Sequence, residues 1–251
     1  MNIDRYFNRL NVAGQQAADR LSFLELLQMR HVQTISFENL DIMEKQTLSM
    51  QFGDLERKII ERSRGGVCYE LNGLFRHLLC HLEYDARLAA ATTYIGDRWN
   101  PYEDTHMMIL AHVDNQSYVV EVGLGGNSPS KPVPLNGKEV RDVDGVYRVV
   151  REEDMYYLQK NENQDWNNLY RFRMDEKQTE DFVPWCDFVQ TSPESPFNKK
   201  RFISRVTQQG RVTLSGDSLT KVENGVKDKR VLQADEIAEA LKRWFYLDER
   251  Q

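Results

Sequence analysis

The sequence predicts an α+β fold, with helices in the first third of the chain and an antiparallel sheet or barrel in the middle. Apolar residues recur at three- and four-residue spacing up to residue 85, which is typical of helices. From Ala86 the pattern changes to short runs that are typical of strands. A loop at 191–198, broken by two prolines, separates these strands from a C-terminal part that ends in an amphipathic helix.

Three helices are predicted before residue 85. The first ends near His31 or Val32, so we expect His31 to be a surface or capping residue. Asp54 is the expected N-cap of the second helix. The third has Cys68 in its first turn or just before it, and its apolar face consists of Leu71, Leu74, Phe75, Leu78, Leu79 and Leu82.

The apolar runs in the middle of the chain predict a series of antiparallel strands. Residues 106–113 and 117–122 flank a turn at 114–116, so we expect them to form a hairpin. The other strand-like runs are 87–95, 145–151, 155–159 and 169–174. After the proline-broken loop, two or three short strands are expected between Arg211 and Leu232, followed by a helix whose apolar face carries Ile237, Leu241, Trp244 and Phe245.

Composition narrows the class of protein. The chain has 251 residues, of which 40% are hydrophobic, and this is enough for a substantial core. A formal charge of −6 argues against general binding of nucleic acid, which needs a basic face. The three cysteines form no CxxC pair, so neither a disulfide framework nor a metal site is expected. Without a signal-like apolar segment or a membrane-length apolar run, we expect a cytoplasmic location and no membrane partner.

Cys68 is the strongest candidate for chemistry. Gly65 and Gly66 precede it, and they allow a substrate or another strand to approach the backbone closely. Free N–H groups and the positive end of the helix dipole lie at the start of its helix, and both favour the nucleophilic thiolate. The alternative is an inert, buried cysteine. We expect that inert role for Cys80, which lies among leucines, and for Cys186.

A cysteine nucleophile needs a base and a group that orients it. His77 lies more than two turns along the Cys68 helix, whereas His106 follows a loop at the start of a predicted strand. Glu121 is the one charge in the apolar run 118–122, and the hairpin brings it beside His106, whose imidazole it would orient. The alternatives are a structural histidine at a sheet edge and a solvated strand face. The glycine cluster 123–126 offers backbone N–H groups to an anion.

The chain resembles the arylamine N-acetyltransferases along nearly its whole length. Three segments occur in the order and spacing of that family, and they are Arg64–Glu70, Thr105–Met107 and Val120–Gly125. Residues 37–40 (Phe-Glu-Asn-Leu) match another signature of the family, and the segment from Ser195 through Phe202 resembles its C-terminal region.

The resemblance implies a fold of three parts. These are a helical bundle at 1–85 with the nucleophile, a β-barrel at 86–190 with the histidine and glutamate, and an α/β lid at 191–251. It also implies a triad of Cys68, His106 and Glu121, as in papain-like enzymes. The implied reaction is ping-pong transfer of an acetyl group from acetyl-CoA, through an acetyl-cysteine thioester, to small arylamines or arylhydrazines.

The resemblance also suggests binding residues. Phe37 and Phe202 offer flat apolar walls to an arylamine, with plain core packing as the alternative. Gly125 and Gly126 are the expected contacts for CoA. The basic run 198–201 suits CoA phosphates or, alternatively, is a solvated surface.

One position departs from the family, which carries aspartate where this chain has Glu121. Either the backbone shifts to keep the longer side chain on the imidazole, or the contact is lost. Glutamate serves as the third member of other triads, so we expect a working site. The alternatives are a cysteine hydrolase or transglutaminase-like enzyme, an amide synthase of the same family, and a catalytically weakened binding protein.

Overall fold

The computed structural model describes residues 1–162 and 165–247. The helices are α1 (Ile3–Leu10), α2 (Arg20–Thr34), α3 (Leu40–Met43), α4 (Phe52–Leu55), which continues as a π-helical segment (Glu56–Glu61), α5 (Cys68–His81), α6 (Val183–Thr191) and α7 (Ala234–Phe245). Short 3-10 segments lie at Gly125–Asn127, Thr179–Phe182 and Pro196–Asn198. Within the described ranges, no helix is both long and apolar enough to cross a membrane.

Fourteen strands are found within the described ranges. They are β1 (Phe37–Glu38), β2 (Asp85–Ile95), β3 (Arg98–Trp99), β4 (His106–Val113), β5 (Gln116–Val120), β6 (Val133–Pro134), β7 (Val140–Asp142), β8 (Gly145–Glu152), β9 (Met155–Glu162), β10 (Asp165–Phe172), β11 (Phe202–Val206), β12 (Gly210–Ser215), β13 (Ser218–Glu223) and β14 (Val226–Val231).

The larger sheet is antiparallel and curls into a nearly closed barrel. Its strand order is β6-β5-β4-β2-β10-β9-β8-β7, with β3 added to β2, and β6 lies against β8. Successive side chains of β4 alternate between two apolar regions, because a strand points them to opposite faces. Met107 and Ile109 pack with the helices, whereas Met108 and Leu110 fill the barrel. This burial on both faces explains the unbroken apolar run, and the predicted α+β fold is confirmed.

The smaller sheet joins the two ends of the chain. Its order is β1-β11-β12-β13-β14, and α7 packs on it. The edge strand β1 comes from the helical part and pairs Phe37 with Ser204 of β11. The same Phe37 forms a parallel bridge with Gly66, two residues before Cys68. The C-terminal sheet is therefore attached to the segment that carries the candidate nucleophile. The division of the chain near residues 85 and 190 stays a prediction.

The hairpin prediction is confirmed, and the Asp54 prediction is wrong. Strands β4 and β5 meet at Asp114 and Asn115, which adopt positive φ angles of 50° and 63°, as a tight hairpin turn requires. Helix α4 begins at Phe52, with Gln51 as its N-cap. Asp54 lies inside the helix, where it accepts a hydrogen bond from Ser49 and pairs with Arg57. The helix starts earlier than its apolar periodicity suggested.

His31 is buried, so its expected surface position is also wrong. Its side chain is fully covered, its Nδ1 lies 3.3 Å from the Tyr6 hydroxyl, and Phe75 packs edge-on against its ring. Burial, and to a smaller extent the nearby Arg9 charge, together lower the pKa of His31 to about 3. The imidazole is therefore neutral in the folded protein at physiological pH.

Acidification is expected to weaken the fold through this histidine. In the unfolded chain His31 is protonated below its ordinary pKa of 6.5, whereas in the folded chain it is protonated only near pH 3. The free energy of unfolding therefore falls as pH drops from 6.5 to about 3. At pH 5 the loss from His31 is about 2 kcal/mol. Urea unfolding at pH 7 and pH 5 should show that His31→Gln loses part of this dependence. The same substitution at the exposed His81 is the control, and equal slopes in both variants would contradict the assignment.

Candidate active site

The start of α5 is built so that Cys68 lies in its first turn. Val67 is the N-cap, and its backbone N–H donates to the Glu70 carboxylate at 3.1 Å, which satisfies one of the free donors of the helix end. A side chain at Gly66 would lie 2.6 Å from that carboxylate. One at Gly65 would lie 2.0 Å from the carbonyl oxygen of Ser36. Both glycines are therefore required by close approach rather than by a positive φ angle.

Buried ion pairs hold the segment before Cys68. The guanidinium of Arg64 pairs with Glu38 at 2.7 Å and with Asp41 at 3.1 Å. Lys58 pairs with Asp41 and with Glu70, each at 2.7 Å. Burial alone would lower the pKa of Lys58, but the surrounding carboxylates outweigh it and raise that pKa. The pairs connect the π-helical segment, the β1 region and the start of α5.

Asn39 connects the same region to the C-terminal part. Its amide nitrogen donates to the carbonyl oxygens of Phe197 and Lys200, each at 2.9 Å, and its amide oxygen accepts from the backbone N–H of Phe202 at 2.7 Å. Glu38 and Asn39 are adjacent in sequence and bind different segments. The signature at residues 37–40 thus joins the cysteine segment to the C-terminal sheet.

His106 and Glu121 are brought into direct contact. His106 begins β4, Glu121 follows the last residue of β5, and the pairing of these strands places the two side chains together. The distance from His106 Nε2 to Glu121 Oε2 is 2.8 Å, and both side chains are buried. The other oxygen of Glu121 accepts from the backbone N–H of Gly123 at 2.7 Å and from Asn72 at 2.8 Å. The longer side chain therefore keeps the carboxylate on the imidazole.

Asn72 is a site residue that the sequence reasoning missed. It lies one turn after Cys68 and is fully buried. Its amide nitrogen donates to Glu121 and to the carbonyl oxygen of Met107, and its amide oxygen accepts from the backbone N–H of Val122 at 3.0 Å. A polar residue four positions after the nucleophile, on the buried face of its helix, was the available signal.

The environment of His106 favours its protonated form. Burial opposes the charge, but the Glu121 carboxylate and a hydrogen bond with Cys68 outweigh burial and raise the pKa of His106 to about 10. Because Nε2 faces Glu121, Nδ1 is the nitrogen left for the Cys68 thiol. An imidazolium beside a thiol stabilises the thiolate. The ring of Tyr170 covers the imidazole, with 5.5 Å between ring centres.

Cys68 and His106 line a cavity of about 450 Å³. Its walls are mainly apolar, and its large aromatic lining residues are Phe37, Tyr69, Tyr94, Tyr102, Trp185, Phe188 and Phe197. Phe37 is thus at the cavity. Phe202 lies behind it, packed edge-on with ring centres 5.9 Å apart.

Gly125 and Gly126 lie next to the Phe202 ring, and the cavity wall that the described residues form does not include them. Gly125 has a positive φ of 62°, and its carbonyl oxygen accepts from Arg211 at 2.9 Å. In the basic run, Lys199 and Lys200 are exposed and Arg201 is half-buried. The CoA-binding roles of these residues stay predictions.

The other two cysteines differ from each other. Cys186 is buried, as expected, and burial raises the pKa of its thiol to about 12. Cys80 is exposed, so the prediction that it is buried is wrong. Cys80 is two residues beyond Leu78 and therefore about 200° around the helix from it. An apolar neighbour in sequence does not place a residue on the apolar face.

Gly123 closes the contact between the glutamate segment and α5. A side chain there would lie 2.7 Å from the Asn72 amide and 2.8 Å from the Cys68 Cα atom. We expect Gly123→Ala to lower stability by about 1–3 kcal/mol, because these neighbours belong to a packed helix. It should also slow alkylation of Cys68 by iodoacetamide. Gly53→Ala, at an exposed helical position with open space around it, is the control. Unchanged urea unfolding of the Gly123 variant would contradict the packing argument.

Comparisons with known proteins agree with this geometry. A family profile described as N-acetyltransferase matches residues 20–250. An arylamine N-acetyltransferase of Escherichia coli (strain K12) is 30% identical over 225 residues, which cover 89% of this chain and 80% of that protein. An arylamine N-acetyltransferase structure from Bacillus cereus with a Cys-His-Glu catalytic triad has a TM-score of 0.89 and 29% identity, and the match covers 98% of each chain. The enzyme from M. tuberculosis has a TM-score of 0.90 and 28% identity, over 99% of this chain and 97% of that one. The chain belongs to the arylamine N-acetyltransferase family.

Proposed function

We propose that this protein transfers an acetyl group from acetyl-CoA to the nitrogen of arylamines or arylhydrazines, with Cys68 as nucleophile. The observation that carries the proposal is that Cys68 and His106 line one aromatic cavity, and that the buried Glu121 contacts His106 from behind. The three residues come from a helix, a strand start and a strand end. They supply the nucleophile, the base and the orienting carboxylate of a cysteine triad.

The first half-reaction loads the enzyme. The Cys68 thiolate attacks the thioester carbonyl carbon of acetyl-CoA, and backbone N–H groups at the start of α5 stabilise the oxyanion. The carbon–sulfur bond to CoA breaks, and the departing CoA sulfur takes the proton from the His106 imidazolium. The products are free CoA, a neutral His106 and an acetyl group on Cys68. One thioester replaces another, so the step is nearly balanced in energy.

The second half-reaction uses the neutral His106 as base. The nitrogen of the acceptor attacks the acetyl-cysteine carbonyl while His106 takes a proton from that nitrogen. The carbon–nitrogen bond forms, and the bond to sulfur breaks. Cys68 then leaves as a thiolate beside an imidazolium, and the starting ion pair is restored. Glu121 holds the imidazole in one orientation through both steps.

The cavity supports an aromatic acceptor. Its volume of about 450 Å³ suits a small molecule, and its aromatic walls, which include Phe37 and Phe197, can pack on a flat ring. The Bacillus cereus neighbour with a Cys-His-Glu triad supports a working glutamate at position 121 rather than a decayed site.

Mass spectrometry of the protein mixed with acetyl-CoA, without acceptor, tests the proposal. We expect one added acetyl group, found on the Cys68 peptide and removed when an arylamine is supplied. The variant Cys80→Ser, which lacks the exposed thiol, should be acetylated to the same extent. An acetyl group found on another residue, or none, would contradict the proposal. Loss to water as fast as to an arylamine would indicate a hydrolase instead.

A further inference from the structure

The mouth of the cavity carries one carboxylate. Glu194 lines the cavity and is exposed, whereas Cys68 lines the same cavity and is buried. The cavity therefore extends from the candidate nucleophile to a region where Glu194 meets solvent. A ring bound with its amine at Cys68 would direct the substituents farthest from that amine towards the mouth.

The described side chains that line the cavity include a carboxylate but no lysine or arginine to balance its charge. Among the lining residues of the described part of the chain, Glu194 is the one acidic side chain, and no lysine or arginine accompanies it. The surrounding walls are apolar, and such walls reduce the screening of a charge by water. His106 lines the same cavity but is neutral once Cys68 is acetylated, so in the loaded enzyme a ligand group that enters this region meets negative charge without a compensating cation among the described lining residues.

Two contacts hold Glu194 in place. Its carboxylate accepts a hydrogen bond from the Tyr102 hydroxyl at 2.5 Å, which joins the β3–β4 loop to the segment after α6. The hydrogen bond to Glu194, and then the charge of Glu194, raise the pKa of Tyr102. The next residue, Ser195, is fully buried, and its hydroxyl donates to the carbonyl oxygen of Val189. The Tyr102 ring packs against Phe188, with ring centres 5.0 Å apart. The carboxylate is therefore anchored from both sides of the mouth, and its second oxygen remains for a ligand.

We propose that Glu194 is a specificity-determining residue of this enzyme. It favours arylamine acceptors whose ring carries a cationic or hydrogen-bond-donating group remote from the reacting nitrogen, and it disfavours those that carry a carboxylate there. This inference rests on the proposed function, because it concerns the acceptor of the second half-reaction. Its physical basis is the unpaired negative charge at the mouth, which repels an anion and accepts a hydrogen bond from a donor.

Competition between two matched acceptors tests it. The compounds 4-aminobenzoate and 4-aminobenzamide have nearly the same shape and differ in charge at the remote group. With enzyme already acetylated on Cys68, the ratio of kcat/KM for the amide over the acid is measured in the parent and in Glu194→Gln. We expect the ratio to fall by about three- to tenfold in the variant, mainly through KM for the acid. Added salt should lower the ratio in the parent more than in the variant.

Two further variants separate charge from structure. Glu103→Gln removes a carboxylate from the same loop as Tyr102, but Glu103 pairs with Arg171 and is not among the cavity-lining residues, so the ratio should not change. Tyr102→Phe keeps the charge of Glu194 and removes its hydrogen-bond donor, so the preference against the acid should persist. If Glu194→Gln is still acetylated and discharged but the ratio of kcat/KM is unchanged, the inference is overturned. Failure of loading itself would instead overturn the proposed function.

Discussion

Cys68→Ala is expected to reduce acetyl transfer to the uncatalysed background, because the variant has no sulfur to carry the acetyl group. Release of CoA from acetyl-CoA in the presence of an arylamine measures this directly. The fold should survive. Cys68 is 8% exposed at the edge of a cavity, and removal of one sulfur atom costs about 1–2 kcal/mol at most in such a position.

The matched control for this prediction is Cys80→Ala on the same helix. Cys80 is exposed and lies on the opposite side of α5 from its apolar face, so its loss should leave the rate unchanged. Circular dichroism and urea unfolding should show that both variants are folded. A Cys68→Ala enzyme that turns over at a rate near that of the parent would remove this residue from the mechanism.

Glu121→Gln is expected to lower the rate by roughly 10²–10⁴-fold, because it moves the proton of the neutral His106 ring from one ring nitrogen to the other. Gly123 and Asn72 both donate hydrogen bonds to Oε1 of Glu121, so a glutamine must place its oxygen there. Its NH₂ group then faces Nε2 of His106. That nitrogen must become an acceptor, and the proton moves to Nδ1, which faces Cys68. The imidazole loses the ability to take a proton from sulfur or from the acceptor amine.

Several measurements check this account of Glu121. The rate of alkylation of Cys68 by iodoacetamide near neutral pH should fall together with turnover, because the imidazolium that stabilises the thiolate is lost. Glu121→Asp keeps the charge but shortens the side chain by one methylene, so it should retain more activity than the glutamine variant. Glu103→Gln, at an exposed ion pair, is the control. If Glu121→Gln reacts with iodoacetamide as fast as the parent does, another group orients His106.

The spacing of apolar residues predicted helices and strands well where one or both faces of the helix or strand are regularly buried. The helix from Cys68 and the hairpin around Asp114 and Asn115 are examples. Strands β1, β3, β6 and β7 were not predicted, because segments of two or three residues are too short to show a period, and the five-residue strand β11 was not predicted either. His31 was misplaced because α1, which covers it through Tyr6, comes from a separate part of the chain.

The sequence by itself identified the candidate reactive residues. A glycine pair before a helix start, a histidine at a strand start and a lone carboxylate at the end of the next strand are readable from spacing, because helix and strand periods are local properties. Tertiary structure decided whether they meet. Only packing brought Asn72 onto the Glu121 carboxylate, placed Phe202 behind Phe37 and placed Glu194 at the cavity mouth. These contacts join segments far apart in the chain, and their distances depend on how whole elements pack against each other rather than on any local pattern.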